Sequence, residues 1–113
     1  MTVVAYVPDL MDRSKVRAAA PGARWARDGG ALADGTGPGD VVVADLSRPG
    51  AVEGLAAAAA AGARTIGFGS HVDRATLDAA RAAGVGEVMA RSEFFRRLPG
   101  LLGGEPGAGP AGP

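Results

Sequence analysis

The chain has 113 residues, 19 of them glycine, and its 12 basic side chains balance 12 acidic ones. A chain of this length forms one small domain, and its lack of cysteine excludes a disulfide framework, a thiol nucleophile and a Cys-based zinc site. A single histidine excludes a His-rich metal site, and the zero net charge argues against nucleic acid as a partner.

Five short apolar runs recur along the chain, and they are typical of buried parallel strands. Such strands are covered on both faces, so they are nearly continuous runs of β-branched and aliphatic residues instead of alternating ones. The predicted strands are Thr2–Val7, Ala23–Arg27, Val41–Leu46, Arg64–Gly69 and Gly86–Ala90.

Helical patterns lie between most of these strands. The predicted helices are Leu10–Ala20, Gly50–Ala61, Val72–Ala83 and Ser92–Leu102. The first has Leu10, Val16 and Ala20 near one face, which we expect to be buried. Ser92 is the expected N-cap of the last helix, and Pro99 is expected to kink or shorten it.

The alternation of strands and helices predicts an α/β domain over residues 1–102. We expect a doubly wound, five-stranded parallel sheet with strand order 2-1-3-4-5 and right-handed crossovers. The Gly-rich segment Asp28–Gly39 predicts a second helix that is short or missing. Residues 103–113 are mostly glycine, proline and alanine and are predicted to form a disordered tail.

Localisation follows from the length of the apolar runs. No run approaches the roughly 18 residues that a membrane-spanning helix needs. The N-terminus also lacks a basic segment before its first apolar run, which a signal peptide would have. We therefore expect a cytoplasmic protein with no membrane partner.

In a sheet of this topology, ligands and catalytic groups collect at the carboxyl ends of the strands. Asp9 follows the first predicted strand, Asp45 comes near the end of the third, Ser70 follows the fourth, and Arg91 follows the fifth. Together they form a candidate anion or phosphoryl site. His71, in the same loop as Ser70, is expected to be exposed.

Each of these residues has a functional and a structural interpretation. Asp45 is a candidate phosphoryl acceptor, because aspartate can form an acyl phosphate, but it can equally bind loop amides. Arg91 can pair with Asp45, hold an anion bidentately or lie free on the surface. Ser70 can bind a phosphoryl oxygen or cap the following helix.

Enzymatic classes have little support in the sequence. No Gly-rich dinucleotide fingerprint follows the first strand, and no phosphate-binding loop of the nucleotide hydrolases is present. A hydrolytic nucleophile–base pair cannot be assembled from one loop histidine and no cysteine. We therefore predict that the protein is not an enzyme.

Two segments resemble a known family. The run D-V-V-V-A-D-L-S-R-P-G (Asp40–Gly50) resembles the third strand and following loop of two-component response-regulator receiver domains, the CheY-like family with a flavodoxin-like fold. The run G-V-G-E-V-M-A-R-S-E-F (Gly84–Phe94) is similar to the family's fifth strand. The element order and the length of about 100 residues also agree with this family.

The resemblance implies roles for individual residues. It places Asp45 at the phosphoacceptor, Arg91 at the family's lysine, and Ser70 one position after the switch hydroxyl. The acidic pair that holds Mg²⁺ in the family falls on Val7 and Pro8. Only Asp9, one position on, remains beside Asp45 as a metal ligand, so the resemblance implies a poor and non-functional Mg²⁺ site.

The expected function is therefore that of a pseudo-receiver, a non-enzymatic regulatory domain that acts by association with another protein or as a homodimer. In this interpretation Asp45 and Arg91 form a structural ion pair, and no cofactor is needed. The family's interaction face includes the last helix, which here carries Phe95 and Arg96. One alternative is a phosphorelay receiver with Mg²⁺ and a phosphorylated Asp45. The other is a flavodoxin-like domain that binds a small anion.

Overall fold

The computed structural model describes residues 1–102, which form a five-stranded, all-parallel sheet flanked by helices. The strand order β2-β1-β3-β4-β5 confirms the predicted doubly wound topology. The strands are β1 (Val3–Tyr6), β2 (Arg24–Trp25), β3 (Val41–Asp45), β4 (Arg64–Gly69) and β5 (Glu87–Ala90). The helices are α1 (Leu10–Ala19), α2 (Ala51–Ala60), α3 (Arg74–Ala82) and α4 (Arg91–Leu102).

The central strand β3 shows why the continuous apolar runs form strands. All five of its residues are buried, and it pairs in parallel with β1 on one side and β4 on the other. Val41, Val42 and Val43 have β-branched side chains that fit a pleated surface, and successive side chains point to opposite faces of the sheet. Each strand residue therefore contributes to one of two separate core layers.

The first core layer lies between the sheet and helices α1 and α4 and is rich in large side chains. Phe68 of β4 stacks on Phe94 of α4 with 4.4 Å between the ring centres and 12° between the ring planes. Phe95 packs edge-on against both rings. The buried members of this aromatic layer include Val3, Val7, Val16, Val43, Ile66, Met89, Leu98 and Leu101.

The second core layer lies between the sheet and helices α2 and α3 and relies on small residues. Gly54 of α2 lies against Gly29, so that a Cβ on Gly54 would come within 2.1 Å of the Gly29 carbonyl oxygen. Such a distance requires the backbones to move apart. The buried members of this small-residue layer include Val4, Tyr6, Leu32, Val42, Ala44, Ala51, Leu55, Ala58, Leu77 and Ala80.

The second crossover has only a 3₁₀ helix at Gly29–Ala31, as the Gly-rich segment predicted. Asp28 caps this turn by accepting a hydrogen bond from the amide of Ala31 at 3.0 Å. Strand β2 is reduced to two residues at the edge of the sheet. The short segment leaves room for Gly29 to lie against α2.

Two local expectations about the helices, those for Leu10 and Ser92, were wrong. Leu10 is 80% exposed, because the inward face of α1 is formed by Asp12 and Val16. Pro99 lies inside α4 and does not shorten it, since the helix extends to Leu102. Ser92 is not a cap, since α4 begins at Arg91 directly after β5.

The predicted tail 103–113 lies outside the described residues. Within residues 1–102, no helix is both long enough and apolar enough to cross a membrane.

Candidate functional site

The carboxyl edge of the sheet carries the residues that the sequence singled out. Asp45 is the last residue of β3, Ser70 directly follows β4, and Arg91 begins α4 directly after β5. Asp9 lies between β1 and α1. Because all strands are parallel, these four positions share one edge of the sheet.

Asp9 is the N-cap of α1. Its Oδ1 accepts hydrogen bonds from the amides of Met11 and Asp12, each at 3.0 Å. The bond from the Asp12 amide is the main cause that lowers the pKa of the exposed Asp9 carboxyl below its ordinary value. The role that the structure gives Asp9 is therefore helix capping.

Asp45 is buried, with 6% of its surface exposed, and its carboxylate is occupied by the loop that follows it. Its Oδ1 accepts hydrogen bonds from the Ser47 amide at 2.9 Å and from the Ser47 hydroxyl at 2.7 Å. Its Oδ2 lies 3.6 Å from Nε of Arg48. This is the arrangement of an aspartate that stabilises its own turn.

Arg91 does not form the expected ion pair with Asp45, because it pairs with Asp12 of α1 instead. Nη1 of Arg91 donates to Oδ2 of Asp12 at 2.8 Å, and Nη2 donates to Oδ1. The contact is bidentate and joins residues 79 positions apart in the chain. The hydrogen bonds to Asp12 are the largest cause that raises the pKa of Arg91, while the charges of Asp45 and Asp9 act in the same direction.

The two partners of this ion pair differ in their exposure. The Asp12 side chain is 3% exposed, whereas the Arg91 side chain is 46% exposed. A buried carboxylate without a cation is costly in free energy. Loss of the pair would therefore destabilise the buried Asp12 side chain more than the partly exposed Arg91 side chain. The remaining N–H groups of Arg91 are left for other contacts.

Sequence reasoning did not select Asp12, although a signal was present. Asp12 and Val16 are four positions apart, so they share one face of α1, and Val16 is a core residue. An acid on the inward face of a helix needs a buried partner. In the first turn, however, an acid is also explained by the helix dipole.

A cleft of about 320 Å³ opens beside Arg91 on the aromatic side of the sheet. Its floor includes Phe95, whose ring centre lies 5.0 Å from Nζ of Lys15 and 5.1 Å from Cζ of Arg91. Both distances are within the range of cation–π contacts. The residues that line the cleft are Lys15, Ser70, His71, Arg91, Ser92 and Phe95.

Ser70 and His71 both contribute to this cleft from the loop after β4. Ser70 was a candidate cap, but α3 is capped by Asp73, whose Oδ1 accepts from the Thr76 amide at 3.2 Å. The Ser70 hydroxyl instead accepts from the Val72 amide at 3.3 Å. His71 is exposed, as expected.

The two residues proposed for an interaction surface lie differently on α4. Phe95 is half-buried, since its ring contacts Phe68 and Phe94 on one side and the cleft on the other. Arg96 is exposed. The aromatic residue therefore belongs to the core and the cleft, and the arginine to the outer surface.

The residues at this edge do not fit a Mg²⁺ ion, which prefers several carboxylate or carbonyl oxygens in octahedral geometry. Within the part of the chain that the structure describes, no three acidic or histidine side chains come together as a metal site. Asp9 binds backbone amides and Asp12 binds the Arg91 guanidinium. A fixed cation next to the carboxylates opposes binding of a second one.

Searches of protein-family models, curated proteins and solved structures with this chain gave no match.

Proposed function

We propose that this chain is a non-enzymatic, cytoplasmic regulatory domain of the pseudo-receiver type. In this proposal it acts through association with another protein or with a second copy of itself. The observation that carries the proposal is the bidentate ion pair between Arg91 and Asp12. This ion pair matters because a phosphorylated receiver would need the same cation to bind the phosphoryl group on its aspartate.

A phosphoryl group on Asp45 would need a cation from the end of β5 to bind its oxygens. The guanidinium at that place is held on α1 by the buried Asp12 carboxylate and forms no ion pair with Asp45 among the described residues. Asp45 is also engaged by its own loop, since Ser47 donates two hydrogen bonds to Oδ1 and Arg48 lies 3.6 Å from Oδ2. Both groups therefore have partners in the state described, which supports a domain held in one conformation.

The metal chemistry supports the same proposal. Phosphoryl transfer relies on a divalent cation to neutralise the charge that develops on the transferred group. The acids at this edge are used for capping and ion pairing and do not form a Mg²⁺ ligand set. In this proposal, a domain that is not phosphorylated transmits its signal by binding a partner protein.

The test is incubation with acetyl phosphate and Mg²⁺, followed by intact-mass measurement. We expect the mass to remain unchanged, because Arg91 is held at Asp12 instead of Asp45 and the acids at this edge do not fit a Mg²⁺ ligand set. The matched control is Asp45→Asn, which is expected to give the same result as the native chain. A gain of one phosphoryl group that Asp45→Asn abolishes would contradict the proposal and establish the phosphorelay alternative.

The surface of α4 around Arg96 is the proposed face for association. Arg96 forms no ion pair among residues 1–102, and it lines a shallow surface depression with Arg64 and Arg97. Arg64 and Arg97 are partly neutralised by Glu87 and Glu93. The net positive character of this patch favours a partner with an acidic surface.

A further inference from the structure

Beyond the regulatory role, we propose that the cleft between α1 and α4 binds the phosphoryl group of a small phosphate ester. The site consists of Lys15, Ser70, His71, Arg91 and Ser92, with Phe95 at its floor. Asp45 does not line this cleft. The proposal therefore does not depend on whether Asp45 accepts a phosphoryl group.

The cleft carries an excess of positive charge. Lys15 forms no ion pair with any of the residues that the structure describes. Its ammonium and the guanidinium of Arg91 both lie about 5 Å from the ring of Phe95, at 5.0 and 5.1 Å. Two cations thus lie beside the ring. Asp12 pairs with Arg91, on which the charges of Asp45 and Asp9 also act, and the charge of Lys15 remains unpaired within the described residues.

Arg91 can bind an anion without releasing Asp12. A guanidinium has five N–H donors, and the bidentate contact with Asp12 uses two of them. The side chain is 46% exposed and lines the cleft, and three of its donors are not used by Asp12. Arg91 can therefore bridge a buried carboxylate and a bound anion.

Further hydrogen-bonding groups complete the site. The Ser70 hydroxyl accepts a hydrogen bond from the Val72 amide, and its own hydrogen stays available to donate. Ser92 and His71 add an exposed hydroxyl and an imidazole. The cleft also opens at the N-terminal end of α4, where the helix dipole favours negative charge.

Charge and size together indicate the class of ligand. A phosphate monoester carries up to two negative charges and three terminal oxygens, which matches two cations with several surrounding donors better than one carboxylate does. The cleft volume of about 320 Å³ is near the lower end of small-molecule sites. This leaves room for the phosphoryl group and a small organic part.

The test is a titration of the full chain with inorganic phosphate and with glycerol phosphate, followed by amide NMR spectra at constant ionic strength. Acetate serves as the comparison anion. We expect saturable shifts that are largest at Ser70, His71, Arg91 and Ser92. Acetate is expected to bind more weakly than either phosphate.

Two substitutions with opposite expected effects make the test specific. Lys15→Met should weaken phosphate binding about threefold, because it removes one exposed cation. Asp12→Asn should strengthen binding about threefold, because it removes the negative charge that neutralises Arg91. Arg96→Met removes a charge of α4 outside the cleft and should leave the affinity unchanged.

Three results would overturn the proposal. One is a set of shifts that do not saturate, and another is acetate binding as tight as phosphate binding. The third is equal weakening by Lys15→Met and Arg96→Met, which would indicate general electrostatic attraction. Both positions are exposed, so this comparison holds even if Asp12→Asn fails to fold.

Discussion

The two faces of the sheet are packed in different ways. On the side of α1 and α4, stacked phenylalanine rings 4.4 Å apart fill the space between helices and sheet. On the side of α2 and α3, alanine and glycine let the backbones of Gly54 and Gly29 come into direct contact. Large side chains hold the helices away from the sheet and leave clefts between them, whereas small side chains let helix and sheet pack without such clefts. The candidate site lies on the aromatic face.

The largest expected effect comes from removing volume on the aromatic face. Phe94→Ala would leave a cavity beside Phe68, and we expect it to lower the free energy of unfolding by about 4 kcal/mol. Chemical denaturation measures the change. Phe94→Leu keeps most of the volume and is expected to cost about 1.5 kcal/mol. Equal losses for the two variants would show that the cavity is not the cause.

On the opposite face, alanine should destabilise because it adds volume. Gly54→Ala places a Cβ against the Gly29 carbonyl oxygen, and we expect a loss of about 3 kcal/mol despite the better helix propensity of alanine. The matched control is Gly100→Ala in α4, where a Cβ meets nothing within 4 Å. That control should be neutral or stabilising by up to about 1 kcal/mol. A stabilising Gly54→Ala would contradict the close approach.

The ion pair at the carboxyl edge comes next in size. Arg91→Met leaves the buried Asp12 carboxylate without its partner, and we expect a loss of about 2 kcal/mol. The double variant Asp12→Leu with Arg91→Met should recover most of this loss, since an apolar pair carries no desolvation penalty. Thermal unfolding of both variants measures the difference. A double variant less stable than Arg91→Met would indicate another role for Asp12.

The smallest expected effect concerns the pair of Arg64 and Glu87, which joins β4 to β5. The side-chain hydrogen bonds from Arg64, at 2.6 and 3.0 Å, are the main cause that lowers the pKa of Glu87. A lowered pKa in the folded state means that the pair stabilises the fold above the ordinary glutamate pKa. This stabilisation is lost as the pH falls through the lowered value.

Glu87→Gln should therefore reduce stability by less than about 1 kcal/mol at neutral pH and have no effect near pH 3. Unfolding free energies measured across this range check the prediction. Glu93→Gln, on the surface of α4, is the matched control for loss of one exposed acid. A loss of stability from Glu87→Gln that became larger as the pH fell would contradict the prediction.

The fold could be predicted from the sequence because its signals are local. Val41–Val43 and the other apolar runs each indicate a strand, and the alternation with helices restricts the topology to few choices. The close contact at Gly54 could not be predicted in this way. In the sequence this glycine interrupts an alanine-rich helix. A glycine is needed there because the Gly29 backbone, 25 positions earlier in the chain, lies too close for a Cβ.

The location of the site residues at one sheet edge could be predicted from the sequence, but their ion-pair partners could not. Parallel strands bring Asp45 and Arg91 to one edge, so both could be selected from the order of the elements. Which carboxylate Arg91 binds depends on the rotation of α1 about its axis, and that rotation buries Asp12 on the same face as the core residue Val16. Asp45 is instead bound by its own turn, through two hydrogen bonds from Ser47 to Oδ1 and the nearby Arg48.

The 79-residue separation of Asp12 and Arg91 has a consequence for synthesis of the chain. Translation proceeds from the N-terminus at roughly 5–20 residues per second, so β1, α1 and β3 leave the ribosome well before α4. Until Arg91 follows, the inward carboxylate of α1 has no cation. Closing the aromatic layer around a charged Asp12 before that point would carry the penalty of an unpaired buried carboxylate, and the layer also lacks Phe94 until α4 is made. The cleft beside Arg91 thus forms only after α4 has been synthesised.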